Sequence, residues 1–132
     1  MSTNYYITLI TVADDSPATS SIVPDLTKSS VASQQFQLIS DRSYEMTSDD
    51  VIFARVAEKQ GIPEPERASE QEAYFQTGRA CLRTSPLAKK FGWGIHSDAD
   101  GKIGLVAMES DEYAALMADD SVTKVKAMRS SR

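Results

Sequence analysis

The sequence predicts a single α+β domain with a small, mainly antiparallel sheet and three to five helices. Two observations support this: apolar runs typical of strands lie near the start and in the last third, and helix patterns with clear boundaries lie around them. The 132 residues are 41% hydrophobic and 25% charged, which is ordinary for a globular protein. We therefore expect one domain over residues 1–132 with one core.

Overall composition narrows the functional classes. The net charge of -5 makes nucleic acid an unlikely partner, because general binding of this kind neutralises many phosphates with a basic surface. A single cysteine, and a start without the pattern of a signal peptide, predict a cytoplasmic protein. No apolar run approaches the roughly 20 residues that span a bilayer, and no cysteine and histidine cluster has metal-ligand spacing. We expect no membrane, metal or cofactor, and a local basic patch stays open.

The first third of the chain reads as a strand, a loop and a helix. Residues 4–12 are apolar on both alternating faces, which predicts a strand covered on both sides and central in the sheet. Residues 13–30 have two prolines and many polar residues, so they are predicted to form a long loop, either a lid over a site or a surface connection. Apolar spacing over 31–39 predicts an amphipathic helix capped by Ser29 or Ser30.

The middle of the chain has the clearest helix boundaries. Thr47 is a hydroxyl cap followed three positions later by Asp50, and Gly61 with two prolines beyond it ends the helix. A further helix is predicted from 65 or 66 to 77, with Gly78 as its stop. Together these signals predict two helices in this part of the chain.

The last third alternates short strands and helices. Residues 80–83 are predicted as a strand, and Thr84, Ser85 and Pro86 as the cap of a short helix to residue 91. Residues 92–96 and 102–108 form a predicted hairpin around a turn at 97–101. A helix capped near Ser110 runs to 117. Residues 122–128 fit a strand or a helix, with the strand favoured, and 129–132 form a flexible tail.

A candidate binding site lies in the acid-free run from residue 73 to 97. It has four cations and a predicted helix start at Ser85, where free backbone amides favour a phosphate or carboxylate. The alternative is an ordinary solvated face whose cations pair with acids elsewhere in the fold. The predicted ligand-binding residues are Arg79, Arg83, Ser85, Lys89, Lys90, Trp93 and His96, and the predicted partner is a small anionic ligand or an acidic protein.

Catalytic chemistry is the second hypothesis for this segment. Cys81 and His96, the only cysteine and histidine, are candidates for a nucleophile and a general base, and Arg79 and Arg83 would favour the thiolate. Cys81 as a small core residue and His96 as an ordinary hairpin residue are the competing interpretations. Trp93, between two glycines, is either a stacking surface or core.

Three further hypotheses concern carboxylates that follow the predicted strands, the basic end of the chain and exposed strand edges. Asp98, Asp100 and Glu109 partly match a calcium loop, but the fifth and sixth positions do not fit. The last residues add cations that would form a basic face with the central segment and bind nucleic acid if the two fold together. A homodimer through exposed strand edges is the remaining hypothesis. The cations of the last residues are Lys124, Lys126, Arg129 and Arg132.

The chain also resembles a family of small, mainly bacterial proteins of unknown function. The resemblance rests on motifs spread over almost the whole chain, which are specific only in combination. Because the family has no known activity, the resemblance implies no ligand, cofactor or catalytic residue. The motifs are Thr3-Asn4-Tyr5 with Val12-Ala13-Asp14-Asp15, Tyr44 with Thr47-Ser48-Asp49-Asp50-Val51, Cys81-Leu82-Arg83-x-Ser85-Pro86-Leu87 with Gly92-Trp93-Gly94-Ile95-His96, and Ala127-Met128-Arg129-Ser130.

Overall fold

The computed structural model describes residues 1–130, which form five helices and a four-stranded sheet. This confirms the predicted α+β class. The elements are β1 (Thr8–Thr11), α1 (Val31–Asp41), α2 (Ser48–Gln60), α3 (Arg67–Tyr74), α4 (Pro86–Lys90), β2 (Trp93–Ser97), β3 (Ile103–Ala107), α5 (Asp111–Ala118) and β4 (Thr123–Lys126), with 3₁₀ turns at Glu64–Glu66 and Leu82–Thr84. A flexible tail was predicted over 129–132; its last two residues, 131 and 132, lie outside the described part of the chain.

The sheet has the strand order β3-β2-β1-β4. The pairs β1–β2 and β2–β3 are antiparallel, whereas β1 and β4 are parallel, so the sheet is mixed and mainly antiparallel. Parallel pairing follows from the crossover through α5, which carries the chain from β3 on one edge to β4 on the other. β1 is interior and buried at all four positions, which confirms the prediction of a central, doubly covered strand.

Local capping signals set the helix boundaries. Thr47 caps α2 and exchanges hydrogen bonds with Asp50, and Gly61 ends the helix with a φ of 64°. Ser30 caps α1, as predicted. α3 ends at Tyr74, three residues before the predicted end, because buried Phe75 closes the last turn and packs with Phe53 and Ala57 of α2.

Two strand predictions need correction. The strand predicted over 80–83 is wrong: this segment runs into the 3₁₀ turn Leu82–Thr84, whose hydrogen bonds are local, from Thr84 N to Cys81 O and from Ser85 N to Leu82 O. β1 is shorter than predicted, because Ile7 adopts a φ of 48° immediately before it. That backbone conformation is incompatible with an extended strand.

The two faces of the sheet meet different helices. Ile10 and Ile95 point to one face and pack in the main core with Ile39 of α1, Val51 of α2 and Leu87 of α4. α5 packs on the opposite face, where the ring of its Tyr113 lies against Gly94. No helix in the described part of the chain is long and apolar enough to cross a membrane.

Side-chain alternation along β2 decides where its chemistry points. Successive side chains of a strand face opposite sides of the sheet. Trp93 and Ile95 therefore face α1, whereas Gly94 and His96 face the α5 side. A Cβ at Gly94 would lie 2.7 Å from the ring of Tyr113 on α5, so glycine admits that ring against the strand.

Candidate functional site

The two predicted ligand-binding arginines each donate a hydrogen bond to a backbone carbonyl. Arg79 Nε donates to Tyr74 O over 2.9 Å, and its guanidinium carbon lies 3.9 Å from the centre of the Tyr74 ring. Arg83 Nε donates to Lys126 O over 2.7 Å, and Met128 N donates back to Arg83 O. Each arginine therefore commits its Nε to a backbone carbonyl within the fold.

The predicted helix start at Ser85 is a structural cap. Ser85 is buried, and its Oγ donates to Gln35 Oε1 over 2.6 Å and accepts from Leu87 N over 3.2 Å. The helix that it caps, α4, is only five residues long, with Lys89 and Lys90 in its last turn. The Ser85 hydroxyl thus both donates and accepts a hydrogen bond within the fold.

Trp93 and His96 lie on opposite faces of the sheet. Trp93 Nε1 donates to Ile22 O over 2.8 Å, and its ring packs against Phe36 of α1 at a centroid distance of 5.4 Å. His96 contacts Tyr44 instead, with Nδ1 2.9 Å from the phenol oxygen. The structure does not bring these two predicted site residues together.

Cys81 lies near the face of the sheet that carries the main core. Its Sγ is 3.6 Å from the phenol oxygen of Tyr5, whose ring packs against the main core. Burial and the neighbouring thiol raise the pKa of Tyr5. Cys81 is half-buried rather than a fully buried core residue. Since the main core lies on the face away from His96, the structure does not pair this thiol with the imidazole.

The predicted basic face is only partly assembled. Lys126 and Met128 do lie against Arg83, through backbone hydrogen bonds. However, two lysines of the predicted face make contacts of their own. Lys126 Nζ forms an ion pair of 3.1 Å with Asp14, and Lys124 Nζ donates to Asp119 O. Arg132, which was part of the predicted face, lies outside the described residues. The charges that were expected to act together are therefore divided among separate contacts.

The Tyr44–His96 pair is an arrangement that the sequence did not predict. Tyr44 follows α1, adopts a φ of 59°, and places its ring beside His96 at a centroid distance of 5.7 Å. A Cβ at Gly104 would lie 2.5 Å from that ring, so glycine on β3 makes room for it. Tyr44 appeared in the sequence only as part of a family motif, and no local pattern identifies a tyrosine that takes a left-handed conformation.

Burial and two carboxylates set the protonation of this pair. Burial lowers the pKa of His96 below its ordinary 6.5, and the negative charges of Glu112 and Asp98 oppose that change. Burial, and then Glu112 and Asp98, raise the pKa of Tyr44 to about 12. At neutral pH the imidazole is therefore neutral and the phenol keeps its proton.

A separate cleft lies between the end of the long loop, α1 and α2. We call it the α1–α2 cleft; its volume is about 520 Å³, and apolar walls come from Leu26 and Leu38. Thr27, Ser29 and Gln37 contribute hydroxyl and amide groups. The charged residues that line it are Lys28, Asp41, Arg42, Arg55 and Glu58.

Hydrogen bonds from α1 fix the loop side of the α1–α2 cleft. Ser33 Oγ donates to Lys28 O over 2.5 Å, and Gln34 Nε2 donates to Ser29 Oγ over 2.8 Å. Gln34 Oε1 in turn accepts from Arg55 of α2. The long loop was predicted as a lid or a surface connection, and its last residues do form one wall of a cavity. Sequence patterns could not find the cleft, because its two helices are brought together by packing.

Metal ligation is not apparent in the described residues. Within residues 1–130, no group of three or more histidine, cysteine or carboxylate side chains could hold a metal ion. The partial calcium pattern at Asp98 instead forms a turn, in which its Oδ1 accepts from Asp100 N and Lys102 N over 2.9 Å each.

Comparison with known proteins identifies a family and no activity. A family model described as a family of unknown function, DUF6157, matches residues 1–132. No curated protein and no solved structure matches the chain. The match confirms the resemblance to a family of unknown function.

Proposed function

We propose that this chain, which belongs to the DUF6157 family of unknown function, binds a small anionic molecule in the α1–α2 cleft. The observation that carries the proposal is the convergence of Lys28, Arg42 and Arg55 on a cavity of about 520 Å³. That volume falls in the range of roughly 300–1,000 Å³ typical of small-molecule sites. The proposed ligand class is the one expected from the sequence, whereas the residues proposed to bind it differ from those expected there.

The cleft is locally positive in an acidic protein. Its three cations outnumber Asp41 and Glu58, although the whole chain has a net charge of -5. An anion would be drawn to this local excess of positive charge. Because the cleft is lined by carboxylates as well as cations, it favours a small anion over a large polyanion. The further negative charges of a polyanion would be repelled by Asp41 and Glu58.

The three cations retain donors for a ligand. Lys28 has no ion-pair partner within the described residues, so its ammonium is available. Arg42 meets Glu45 at 3.7 Å with both side chains more than half exposed, a contact that contributes little. Arg55 uses Nη1 for Gln34, and a guanidinium has five N–H donors in all. Phosphate and carboxylate groups match such donors in charge and geometry.

A thermal-shift comparison tests this proposal. Inorganic phosphate, citrate and glucose 6-phosphate are compared with glucose and with sodium chloride at matched ionic strength. A ligand at 100 times its Kd stabilises the folded state by about 2.7 kcal/mol. We expect an anion to raise Tm beyond the salt control, Lys28→Gln to weaken that effect, and Lys59→Gln on the exposed end of α2 to preserve it. Equal shifts with chloride, or an unaltered response in Lys28→Gln, would contradict the proposal.

We also propose a cytoplasmic location and a monomer. The single cysteine forms no disulfide within the chain, which suits a compartment that keeps thiols reduced. One sheet edge is partly covered, because Tyr44 N donates to Ile103 O and Thr47 pairs with Lys102. The other edge has lysines at 124 and 126, which discourage strand pairing between molecules. Cell fractionation and light scattering test the two points; recovery from a secreted fraction or a dimer mass would contradict them.

A further inference from the structure

We infer that Tyr44 and His96 form an acid–base site on the α5 face of the sheet, where Nε2 of His96 accepts a proton from a bound substrate. Tyr44 is the positioning residue, since it holds the imidazole through Nδ1, 2.9 Å from its phenol oxygen. Within residues 1–130, Nε2 has no hydrogen-bond partner. This site is distinct from the α1–α2 cleft, because His96 faces away from α1.

Three features of the fold converge on the placement of the Tyr44 ring. Its φ of 59° is uncommon for a bulky residue. Backbone hydrogen bonds on both sides hold that conformation, from Tyr44 N to Ile103 O over 2.8 Å and from Ile103 N to Met46 O over 2.9 Å. Gly104 on the paired strand leaves room for the ring. Strained residues that the surrounding structure holds in place cluster at functional sites.

The charges around the pair suit proton abstraction. Glu112 of α5 and Asp98 of the β2–β3 turn act on both rings. Two lysines make hydrogen bonds elsewhere: Lys102 Nζ donates to Glu45 O, and Lys124 Nζ donates to Asp119 O. The two carboxylates therefore stabilise the imidazolium that forms when the base is protonated.

The step balances without a further reactant. In the tautomer with hydrogen on Nδ1, that N–H donates to the Tyr44 oxygen and leaves a lone pair on Nε2. A substrate X–H transfers its proton to Nε2, X keeps the bonding electron pair, and the imidazolium later returns the proton to the product or to water. Because Glu112 and Asp98 repel anions, the substrate is a neutral or positively charged molecule with a hydroxyl, thiol or amine proton. This class differs from the anion expected in the α1–α2 cleft.

Carbethoxylation with diethyl pyrocarbonate reads out the free Nε2 directly. Nε2 attacks the carbonyl carbon and an ethyl carbonate group leaves, so each modified imidazole is counted by absorbance. The chain has one histidine, so the signal belongs to His96 alone. We expect one modification per native chain, with a rate that falls on acidification and has its midpoint below pH 6.5, the ordinary histidine value. Modification only after unfolding would overturn the inference.

Two measurements separate positioning from a merely structural role. Nitrogen NMR of the single histidine should show hydrogen on Nδ1; the opposite tautomer, with hydrogen on Nε2, would overturn the base assignment. Tyr44→Phe should slow carbethoxylation about tenfold, the factor equivalent to a hydrogen bond of about 1.4 kcal/mol, and should change its pH midpoint. Tyr113→Phe on the same face, whose hydroxyl accepts from Val12 N, should leave both unchanged. An unchanged rate and midpoint in folded Tyr44→Phe would remove its positioning role.

Discussion

Replacing Gly104 with alanine tests whether Tyr44 is packed as closely as the structure shows. The added Cβ would lie 2.5 Å from Cε2 and Cζ of Tyr44 and 3.0 Å from its oxygen. Carbon atoms normally meet at about 3.5–4.0 Å, so the ring must retreat by roughly 1 Å. Overpacking of this kind destabilises the folded state by about 1–3 kcal/mol. Alanine also lowers the conformational entropy of the unfolded chain, which offsets about 0.4–1 kcal/mol of that loss. We therefore expect Gly104→Ala to lower the free energy of unfolding by roughly 1–2 kcal/mol.

A double-mutant cycle assigns that loss to Tyr44. Urea unfolding is measured for the wild type, Gly104→Ala, Tyr44→Ala and the double variant. In the Tyr44→Ala background the obstructing ring is absent, so Gly104→Ala should be close to neutral, which gives a coupling energy of about 1 kcal/mol or more. Gly94→Ala is the matched control, because its Cβ would meet Tyr113 instead and should not couple to Tyr44→Ala.

The outcome that refutes this reasoning is additivity. If Gly104→Ala destabilises the Tyr44→Ala protein as much as the wild type, the Tyr44 ring does not lie against β3. The Tyr44–His96 contact would then lose its geometric basis, because the same placement of the ring defines both. Additive effects agree within about 0.3–0.5 kcal/mol, so the expected coupling is large enough to be resolved.

Three further predictions concern titration and capping. Because burial lowers the folded pKa of His96, the unfolded chain binds that proton more readily; this contribution to stability is complete above pH 6.5 and is lost as pH falls through the lower folded pKa. The difference in the free energy of unfolding between wild type and His96→Gln, measured by urea unfolding at several pH values, isolates this contribution. A difference that stays constant from above pH 6.5 down to acidic pH would contradict the prediction. The phenol of Tyr44 should ionise near pH 12, so the ultraviolet titration of Tyr44→Phe should lack the tyrosine ionisation that the wild type shows near that pH. If Tyr44→Phe instead loses an ionisation near pH 10, the hydroxyl of Tyr44 is not buried. Thr47→Ala should lower the free energy of unfolding by about 1 kcal/mol, measured against exposed Thr77→Ala, because it removes the α2 cap; equal losses would exclude a capping role.

Local signals in the sequence predicted most of the elements. The boundaries of α2 were predictable from Thr47, Asp50 and Gly61, because a cap satisfies backbone groups only a few residues away. The β2–β3 hairpin was equally predictable, since its turn is contained within a short segment. Residues 80–83 were predicted incorrectly, because short apolar runs do not indicate whether a neighbouring strand is available to pair.

The spatial grouping of the candidate site residues could not be predicted, for a related reason. The sequence placed His96 and Trp93 in one group because they are close along the chain, yet their odd spacing on β2 sends them to opposite faces. The contact between Tyr44 and His96 was not predicted, since the two residues lie 52 positions apart. The meeting of Lys28 and Arg55 at the α1–α2 cleft was also not predicted, because cations on a loop and a distant helix share no sequence pattern.

The sequence by itself determined the fold class, the helix caps, the hairpin and the net negative charge. Each depends on interactions between neighbours along the chain or on composition. The tertiary structure decided the parallel β1–β4 pair, the opposition of Trp93 and His96, the contact between Tyr44 and His96, and the convergence of cations on the α1–α2 cleft. These features depend on which segments pack together, and packing selects among many pairings that the local patterns allow equally.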